Sequence, residues 1–332
     1  VILGATGSIG RQALQVIAGY PEHLELYGVA ATGRDLESLC QLVKTHGARH
    51  VAVTQPEAYS ALRAQLPSSV HVAAGIESLC ELACLAQAEL VLVATSGVVG
   101  LRPTFAALQA GKTVASANKE SLILGGPFLK SALEAGGGRL LPVDSEHCGV
   151  AQCLAAVADP AHVRRVWLTA SGGPFLHRAA EGFHSITPPE ALRHPNWTMG
   201  PKVTLDCATL ANKGLELMEA KYLFNLPAQA LGVLIHPQSC VHALVEKHDG
   251  SVLAQMAPTS MLFPIQYALL YPQVKAPLEP GLSFLERLEL SFQPPDYGRF
   301  PCLGLAQQAL SAGHTAEVVF NAANEVAARA FL

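Results

Sequence analysis

With 332 residues, the chain exceeds what one hydrophobic core usually supports, so two or three domains are expected. Half of the residues are hydrophobic and only 14% are charged, which excludes an extended disordered tail. The net charge of −4 comes with no basic block of the kind that follows a phosphate backbone, and nucleic acid is not an expected partner. The longest apolar run, 90–101, is broken by Thr95, Ser96 and glycines and stops at Arg102, too short to cross a bilayer, so no membrane partner is expected either. The eight cysteines form no CxxC pair, which fits reduced thiols in a cytoplasm better than a zinc ribbon or a redox pair. Both ends read as cut, Val1-Ile2-Leu3 inside a strand and Phe331-Leu332 inside a helix.

From Val1 to Asp144, short β-branched runs alternate with helical patterns. Val1-Ile2-Leu3 is followed by a helix whose predicted apolar face is Ile9, Ala13, Leu14 and Ile17. Predicted strands follow at Leu24–Ala30, Val51–Val53, Val70–Ala73, Leu90–Ala94, Thr113–Ala117 and Leu140–Val143. Ten or more residues separate each from the next, as a parallel sheet with crossover helices requires. Residues 1–144 are therefore expected to form a Rossmann-like, doubly wound parallel sheet.

Beyond Asp144 the pattern changes to mixed α/β, expected over residues 145–271. Val163–Ala170 is a predicted strand, and the polar, Pro-containing stretch His184–Lys202 reads as a long loop. Val241–Glu246 and Ser251–Ala257 alternate around Asp249-Gly250, the pair a type I′ hairpin turn prefers. The proline-rich stretch that begins at Pro272 reads as an ordered linker, 272–297. Leu303–Leu310 and Ala316–Phe331 have helical spacing and open an incomplete C-terminal helical bundle, 298–332.

Gly4-Ala5-Thr6-Gly7-Ser8-Ile9-Gly10 lies between the first strand and first helix, where backbone N–H groups can hold a pyrophosphate; a tight turn with no ligand is the alternative. The second strand runs into Ala31-Thr32-Gly33-Arg34-Asp35, with no acidic residue placed for a ribose 2′-hydroxyl, and Arg34 points instead to the 2′-phosphate of NADP. The plainer reading makes Arg34 a surface cation and Asp35 a helix cap. Asp144-Ser145-Glu146 ends an apolar strand at its carboxyl edge, and an extended course would put both carboxylates on one side. Two hard oxygen donors suit Mg²⁺ or Mn²⁺, but on spacing alone an acidic turn or helix cap fits as well.

Asn212 to Glu219 reads as a helix with Lys213 and Glu216 one turn apart, either a phosphate ligand beside a metal ligand or an ordinary surface ion pair. Glu219 competes with Glu216. Ser171-Gly172-Gly173-Pro174 after a strand could form an anion-binding nest or a plain turn. His194 to Gly200 places a His, a Trp and a Met in a polar loop, as a substrate lid or as interdomain packing. Lys119 follows a strand at the edge where cofactor and substrate should meet; a surface lysine at a helix start is the alternative. His236 and His242 read as structural histidines.

Taken together, GATGSIG, ANKES, LLPVDSEH, SGGPF, HPNWTMG, ATLANKGLE, IHPQS and FNAANE resemble, in order and interval, the 1-deoxy-D-xylulose 5-phosphate reductoisomerases. That resemblance covers nearly the whole chain. It implies NADPH- and metal-dependent rearrangement and reduction of 1-deoxy-D-xylulose 5-phosphate to 2-C-methyl-D-erythritol 4-phosphate, in non-mevalonate isoprenoid synthesis, by a cytoplasmic homodimer. By motif, Asp144, Glu146 and Glu216 would hold Mg²⁺ or Mn²⁺, with Glu219 behind them. Ser171, Asn212 and Lys213 match the phosphate site. Ser145 and Lys119 match contacts to substrate hydroxyls, and His194 with Trp197 the closing loop. Lys119, Glu146 and His194 are the implied catalytic groups. Thr6, Gly7, Ser8, Ile9, Gly33, Arg34, Asp35, Asn118, Glu120 and Gly200 match NADPH contacts.

Two positions depart from the pattern. Cys207 stands where the family typically carries a phosphate-binding serine, and a thiol donates weakly. Thr259-Ser260-Met261-Leu262 replaces an expected Pro-Asp-Met-Arg, removing an ion pair from the expected dimer interface. Competing functions are an NADP-dependent semialdehyde or homoserine-type dehydrogenase, which needs no carboxylate cluster, and a non-catalytic NADP-binding sensor.

Overall fold

The structure, a computed structural model, describes residues 1–285 and 287–332. It forms two compact units, Val1–Asp144 with Met261–Glu279, and Ser145–Ser260 with Pro280–Leu332.

In the first unit seven short strands, β1 (Ile2–Leu3), β2 (Gly28–Ala31), β3 (His50–Val53), β4 (His71–Ala74), β5 (Leu90–Val93), β6 (Thr113–Ser116) and β7 (Arg139–Pro142), form one sheet. Every neighbouring pair is parallel, in the order β4-β3-β2-β1-β5-β6-β7. The crossovers carry α1 (Ser8–Gly19), α2 (Leu36–His46), α3 (Tyr59–Gln65), α4 (Glu77–Ala83), α5 (Leu101–Gln109) and α6 (Lys119–Gly136). Val51, Val53, Val91, Leu92 and Val93 are fully buried, as expected for strands covered on both faces. The order reverses between β1 and β5, so the loops after these two strands flank the switch point where such sheets bind ligands.

Close approach at that point depends on Gly4, which has φ of +92°; a Cβ there would lie 2.4 Å from the Ala94 carbonyl oxygen. On α1 the buried residues are Gly10, Ala13, Leu14 and Val16, while the predicted Ile9 and Ile17 flank this stripe, half-buried against the core. The predicted strand at Leu24–Ala30 is shorter and begins at Gly28.

One boundary differs from expectation. The helix α11 (Leu262–Leu270; the intervening α7 to α10 belong to the second unit described below) contributes Leu262, Ile265, Ala268, Leu269 and Leu270 to the first unit's core. The Tyr20 hydroxyl donates to the Ala276 carbonyl, and Leu278 lies against Gly19. Residues 261–279 thus leave the expected 145–271 domain and 272–297 linker because a largely apolar helix finds its cover on α1.

The second unit has a mixed four-stranded sheet, β11-β10-β8-β9, of β8 (Val163–Ala170), β9 (Leu231–Ile235), β10 (Val241–Lys247) and β11 (Val252–Met256). Only the β8–β9 pair is parallel. The sequence expectations omit β9, although its short apolar run, interrupted by Gly232, is what a buried strand looks like. At the β10–β11 turn only Gly250 has a positive φ, so this is not the predicted type I′ turn; Gly250 N–H bonds the Lys247 carbonyl at 3.0 Å, and Asp249 caps Ser251. The expected loop His184–Lys202 is partly ordered by α8 (Pro188–Ala191), where Thr187 and Glu190 make a reciprocal capping box, and it ends at Pro201.

Helices α7 (Ser145–Ala155), α9 (Pro201–Thr209) and α10 (Ala211–Leu223) hold the predicted site residues Ser145, Glu146, Cys207, Asn212, Lys213 and Glu216. Every residue of α10 from Ala211 to Ala220 is buried, because α12 (Pro301–Ala312) and α13 (His314–Phe331) cover what the sheet does not. Gly214 permits the α10–α12 approach, and buried Glu317 accepts hydrogen bonds from Lys221 and Tyr222 of α10. Gln293, in the predicted linker, pairs with Ile235 at the free edge of β9.

Two glycines with positive φ separate conformational strain from steric contact. Gly47, at the end of α2, has φ of +68° and open space around a built Cβ, so Gly47→Ala is expected to cost about 1 kcal/mol. Gly4→Ala meets backbone atoms that cannot rotate away and should cost roughly 3 kcal/mol or more. Urea denaturation of both variants checks the contrast.

Candidate active site

In the first unit a cavity of about 240 Å³ at the switch point is lined by Gly4, Thr6 and Gly7, by Ala31 and Thr32 at the end of β2, and by Thr95 and Ser96 after β5. Ser8 and Ile9 open α1 directly above this turn, so its first N–H groups face the glycine loop. Gly33 turns the chain with φ of +95°, Arg34 is exposed beside it, and Asp35 caps α2 by accepting from Ser38 N–H at 3.0 Å. Asn118 is committed to its own chain: its side-chain oxygen accepts from Ser121 N–H at 2.7 Å and its amide donates to the Gly97 carbonyl at 2.9 Å. Glu120 sits half-buried in the first turn of α6. Lys119, nearly buried, pairs with Asp144 at 2.7 Å, which ties the start of α6 to the end of the chain segment after β7.

In the second unit the chemistry gathers around one ammonium. Lys213, 3% exposed, donates from Nζ to Glu146 Oε1 at 2.7 Å and also to Glu216 Oε2. Asn212 donates to the other oxygen of Glu216, and Ser145 donates to Glu146 Oε2 at 2.7 Å. Ser145 and Glu146 occupy the first turn of α7, so the extended course considered for Asp144-Ser145-Glu146 does not occur. The helical start brings Glu146 onto α10 instead. Nor are Lys213 and Glu216 a surface ion pair: Glu216 is 1% exposed.

Burial alone would push the Glu146 carboxyl up, but Lys213 beside it, His242 nearby and the hydrogen bonds from Lys213 and Ser145 outweigh this and hold it well below the usual carboxylate range. Burial would likewise lower Lys213, and the two carboxylates more than reverse that, so the ammonium stays charged. Two carboxylates against one ammonium leave a net negative, all-oxygen donor set, which suits a hard divalent cation.

His147 and Glu219 form a layer behind. His147 Nε2–H donates to the Glu216 carbonyl at 2.9 Å, its Nδ1 lies 3.6 Å from Glu219, and both side chains are fully buried. Sequence alone gives His147 no role, although its place directly after Glu146 is a signal. His242, read as structural, donates to the Ala257 carbonyl at 3.2 Å and also lies within electrostatic reach of Glu146.

A second cluster adjoins β8. His194 Nδ1 accepts from the N–H groups of Asn196 and Trp197, at 3.2 and 3.0 Å, so in the neutral ring the proton is on Nε2 and is donated to Ser171 Oγ at 3.1 Å. Burial lowers the His194 pKa and favours that neutral form, against an opposing pull from Glu146. Gly173 N–H also donates to Ser171 Oγ at 3.1 Å. With two donors already received, the Ser171 hydroxyl hydrogen is available for an anion. The loop is tied down by Asn196, which donates to the Pro237 carbonyl and to Ser239, both at 2.7 Å, and Trp197 packs near the ring of His242. Cys207 on α9 lies against the turn that follows Ser171: a Cβ at Gly173 would approach its carbonyl oxygen to 2.7 Å. Gly200, read as a cofactor contact, is the exposed N-cap of α9 in the second unit.

The family model described as 1-deoxy-D-xylulose 5-phosphate reductoisomerase matches residues 1–126, the one described as its C-terminal domain matches 140–224, and the DXP reductoisomerase C-terminal domain matches 256–332. The chain belongs to this family. The reductoisomerase of Thermodesulfovibrio yellowstonii is 44% identical over 332 residues, spanning 100% of this chain and 86% of the relative. That of Heliobacterium modesticaldum is 45% identical over 334 residues, spanning 100% and 85%. A crystal structure of DOX-P reductoisomerase in complex with NADPH, fosmidomycin and magnesium superposes with a TM-score of 0.94 at 37% identity, covering 99% of this chain and 83% of the other. The Zymomonas mobilis reductoisomerase in complex with NADPH gives 0.92 at 40%, covering 100% and 86%.

For this reductoisomerase-family chain, Lys213→Met should strand two carboxylates in the second unit and cost about 3–5 kcal/mol at pH 7. With the ammonium present, Glu146 titrates below its unfolded value, so its stabilisation exists above the ordinary carboxylate range and is lost as pH falls. Without it, burial dominates and raises the Glu146 carboxyl, so the variant's deficit should shrink between pH 7 and pH 5. A deficit that instead grows on acidification contradicts this; urea midpoints at the two pH values decide.

Proposed function

We propose that the chain converts 1-deoxy-D-xylulose 5-phosphate and NADPH to 2-C-methyl-D-erythritol 4-phosphate, as a cytoplasmic homodimer serving non-mevalonate isoprenoid synthesis. The observation that carries the proposal is the buried Glu146–Lys213–Glu216 cluster in a chain of this family. Asp144, two residues before Glu146, would complete with Glu146 and Glu216 a carboxylate set for Mg²⁺ or Mn²⁺. When bound, the cation supplies Lewis acidity to the substrate's carbonyl and hydroxyl oxygens, and NADPH supplies a hydride.

The chain's own residues bind and orient. The Ser171 hydroxyl, with its hydrogen available, and the Asn212 amide and Lys213 ammonium suit the phosphate. Glu146 is held ionised, so it serves as a ligand and acceptor rather than an acid. Lys119 and Ser145 would meet the substrate hydroxyls. The neutral His194 fixes Ser171 while its loop carries Trp197 as cover, and water exclusion there protects the reacting carbons. The glycine loop Thr6 to Ile9 and the Arg34 guanidinium suit the pyrophosphate and 2′-phosphate of NADPH. No disulfide joins the eight cysteines, in keeping with a reducing compartment, and no helix among the described residues is long and apolar enough to cross a membrane.

NADPH oxidation on substrate addition should vanish with EDTA and return with Mn²⁺ or Mg²⁺. Turnover that survives chelation excludes the carboxylate metal site and favours a metal-free dehydrogenase. At Cys207, a stronger donor should improve phosphate binding: Cys207→Ser is expected to lower the substrate KM about two- to fivefold with the NADPH KM unchanged. An unchanged substrate KM would remove this position from the phosphate site.

A further inference from the structure

The FNAANE segment of α13 has no role in the chemistry above, yet Asn324 reaches the helix that carries Cys207. Its Nδ2 donates to Asp206 Oδ1 at 2.9 Å, and Lys202 Nζ donates to Asp206 Oδ2 at 2.5 Å. Asp206 is only 2% exposed, so this carboxylate depends on both partners. Glu325, next to Asn324, lies 3.9 Å from Lys202 and closes the network.

What Asp206 steadies is a demanding turn. Between α9 and α10 the chain passes through Leu210 with φ of 60°, a conformation costly for a branched side chain, and the next residues are Ala211, Asn212 and Lys213. Thr209 Oγ1 donates to the Asp206 carbonyl at 3.2 Å, and Leu210 N–H bonds the Cys207 carbonyl at 3.3 Å. The Gly173 backbone also lies against α9 at Cys207. The end of α9 therefore sets where three expected phosphate contacts stand: Cys207 directly, and Asn212 and Lys213 through the turn.

We propose that Asn324 is a positioning residue for the substrate's phosphate, acting through Asp206 on α9 and the α9–α10 turn. This rests on the reductoisomerase reading for its substrate. Asn324 also borders a largely apolar cavity of about 490 Å³, which gives an isosteric leucine room without overpacking. Asn324→Leu thus removes the hydrogen bond rather than the packing.

The test compares Asn324→Leu with the exchanged pair Asp206→Asn/Asn324→Asp, which keeps a donor and an acceptor facing each other. The leucine variant should raise the KM for the phosphorylated substrate about tenfold, with kcat and the NADPH KM within about twofold of wild type, while activity on dephosphorylated 1-deoxy-D-xylulose is unchanged. Inorganic phosphate should inhibit it more weakly by a similar factor. The exchanged pair should recover part of the loss. Equal losses with both substrates, or unchanged phosphate inhibition beside a lowered Tm, would make α13 a structural brace only and overturn the proposal. If wild type itself does not oxidise NADPH with the sugar phosphate, the functional reading fails; the positioning role then stands or falls on protection of the two proteins by inorganic phosphate in thermal unfolding.

Discussion

An ammonium with almost no solvent access, held between two carboxylates, organises the second unit. Lys213 has almost no contact with solvent, so Glu146 and Glu216 must approach, and the buried Glu216 in turn requires the ammonium. Such a cluster contributes little net stability over a well-packed apolar core. Its worth is specificity: it dictates how the start of α7 meets α10 and which way each carboxylate faces.

The surroundings follow from that requirement. A helix with a lysine and two glutamates on buried faces needs cover on all sides, and α10 obtains it from the sheet, α12 and α13. Gly214 lets α12 close in, Glu317 satisfies Lys221 and Tyr222, and His147 fills the space between α7 and α10 while bonding a main-chain carbonyl. The phosphate-type donors at Ser171 are built by a different device. There a neutral imidazole and a backbone N–H saturate the lone pairs of one hydroxyl and leave its hydrogen for a ligand. Both devices fix the direction of a hydrogen bond in advance, which is what electrostatic preorganisation demands.

Much of this was legible in the order of residues. The parallel sheet was readable because strands covered on both faces are short apolar runs, and the spacing between them leaves room for one helix each. The glycine loop, the Asp35 cap and the helical placement of Lys213 with Glu216 were readable because they are local. The course of Asp144-Ser145-Glu146 was not, since a two-residue spacing fits an extended chain and a helix start alike, and only α7 decides between them. The hairpin turn was misread for a similar reason: Asp-Gly permits several turns, and Gly250 alone took the left-handed conformation.

The sequence by itself determined which segments alternate as strand and helix, which residues carry hard oxygen donors and phosphate-type donors, and, through many motifs in register, the family. Tertiary structure alone decided that α11 completes the first unit's core, that the Lys213–Glu216 pair is buried rather than a solvated surface pair, and that Asn324 touches Asp206. The reason is physical. Periodicity encodes the faces of one element, whereas burial of a charge depends on elements about a hundred residues away in the chain that come to cover it.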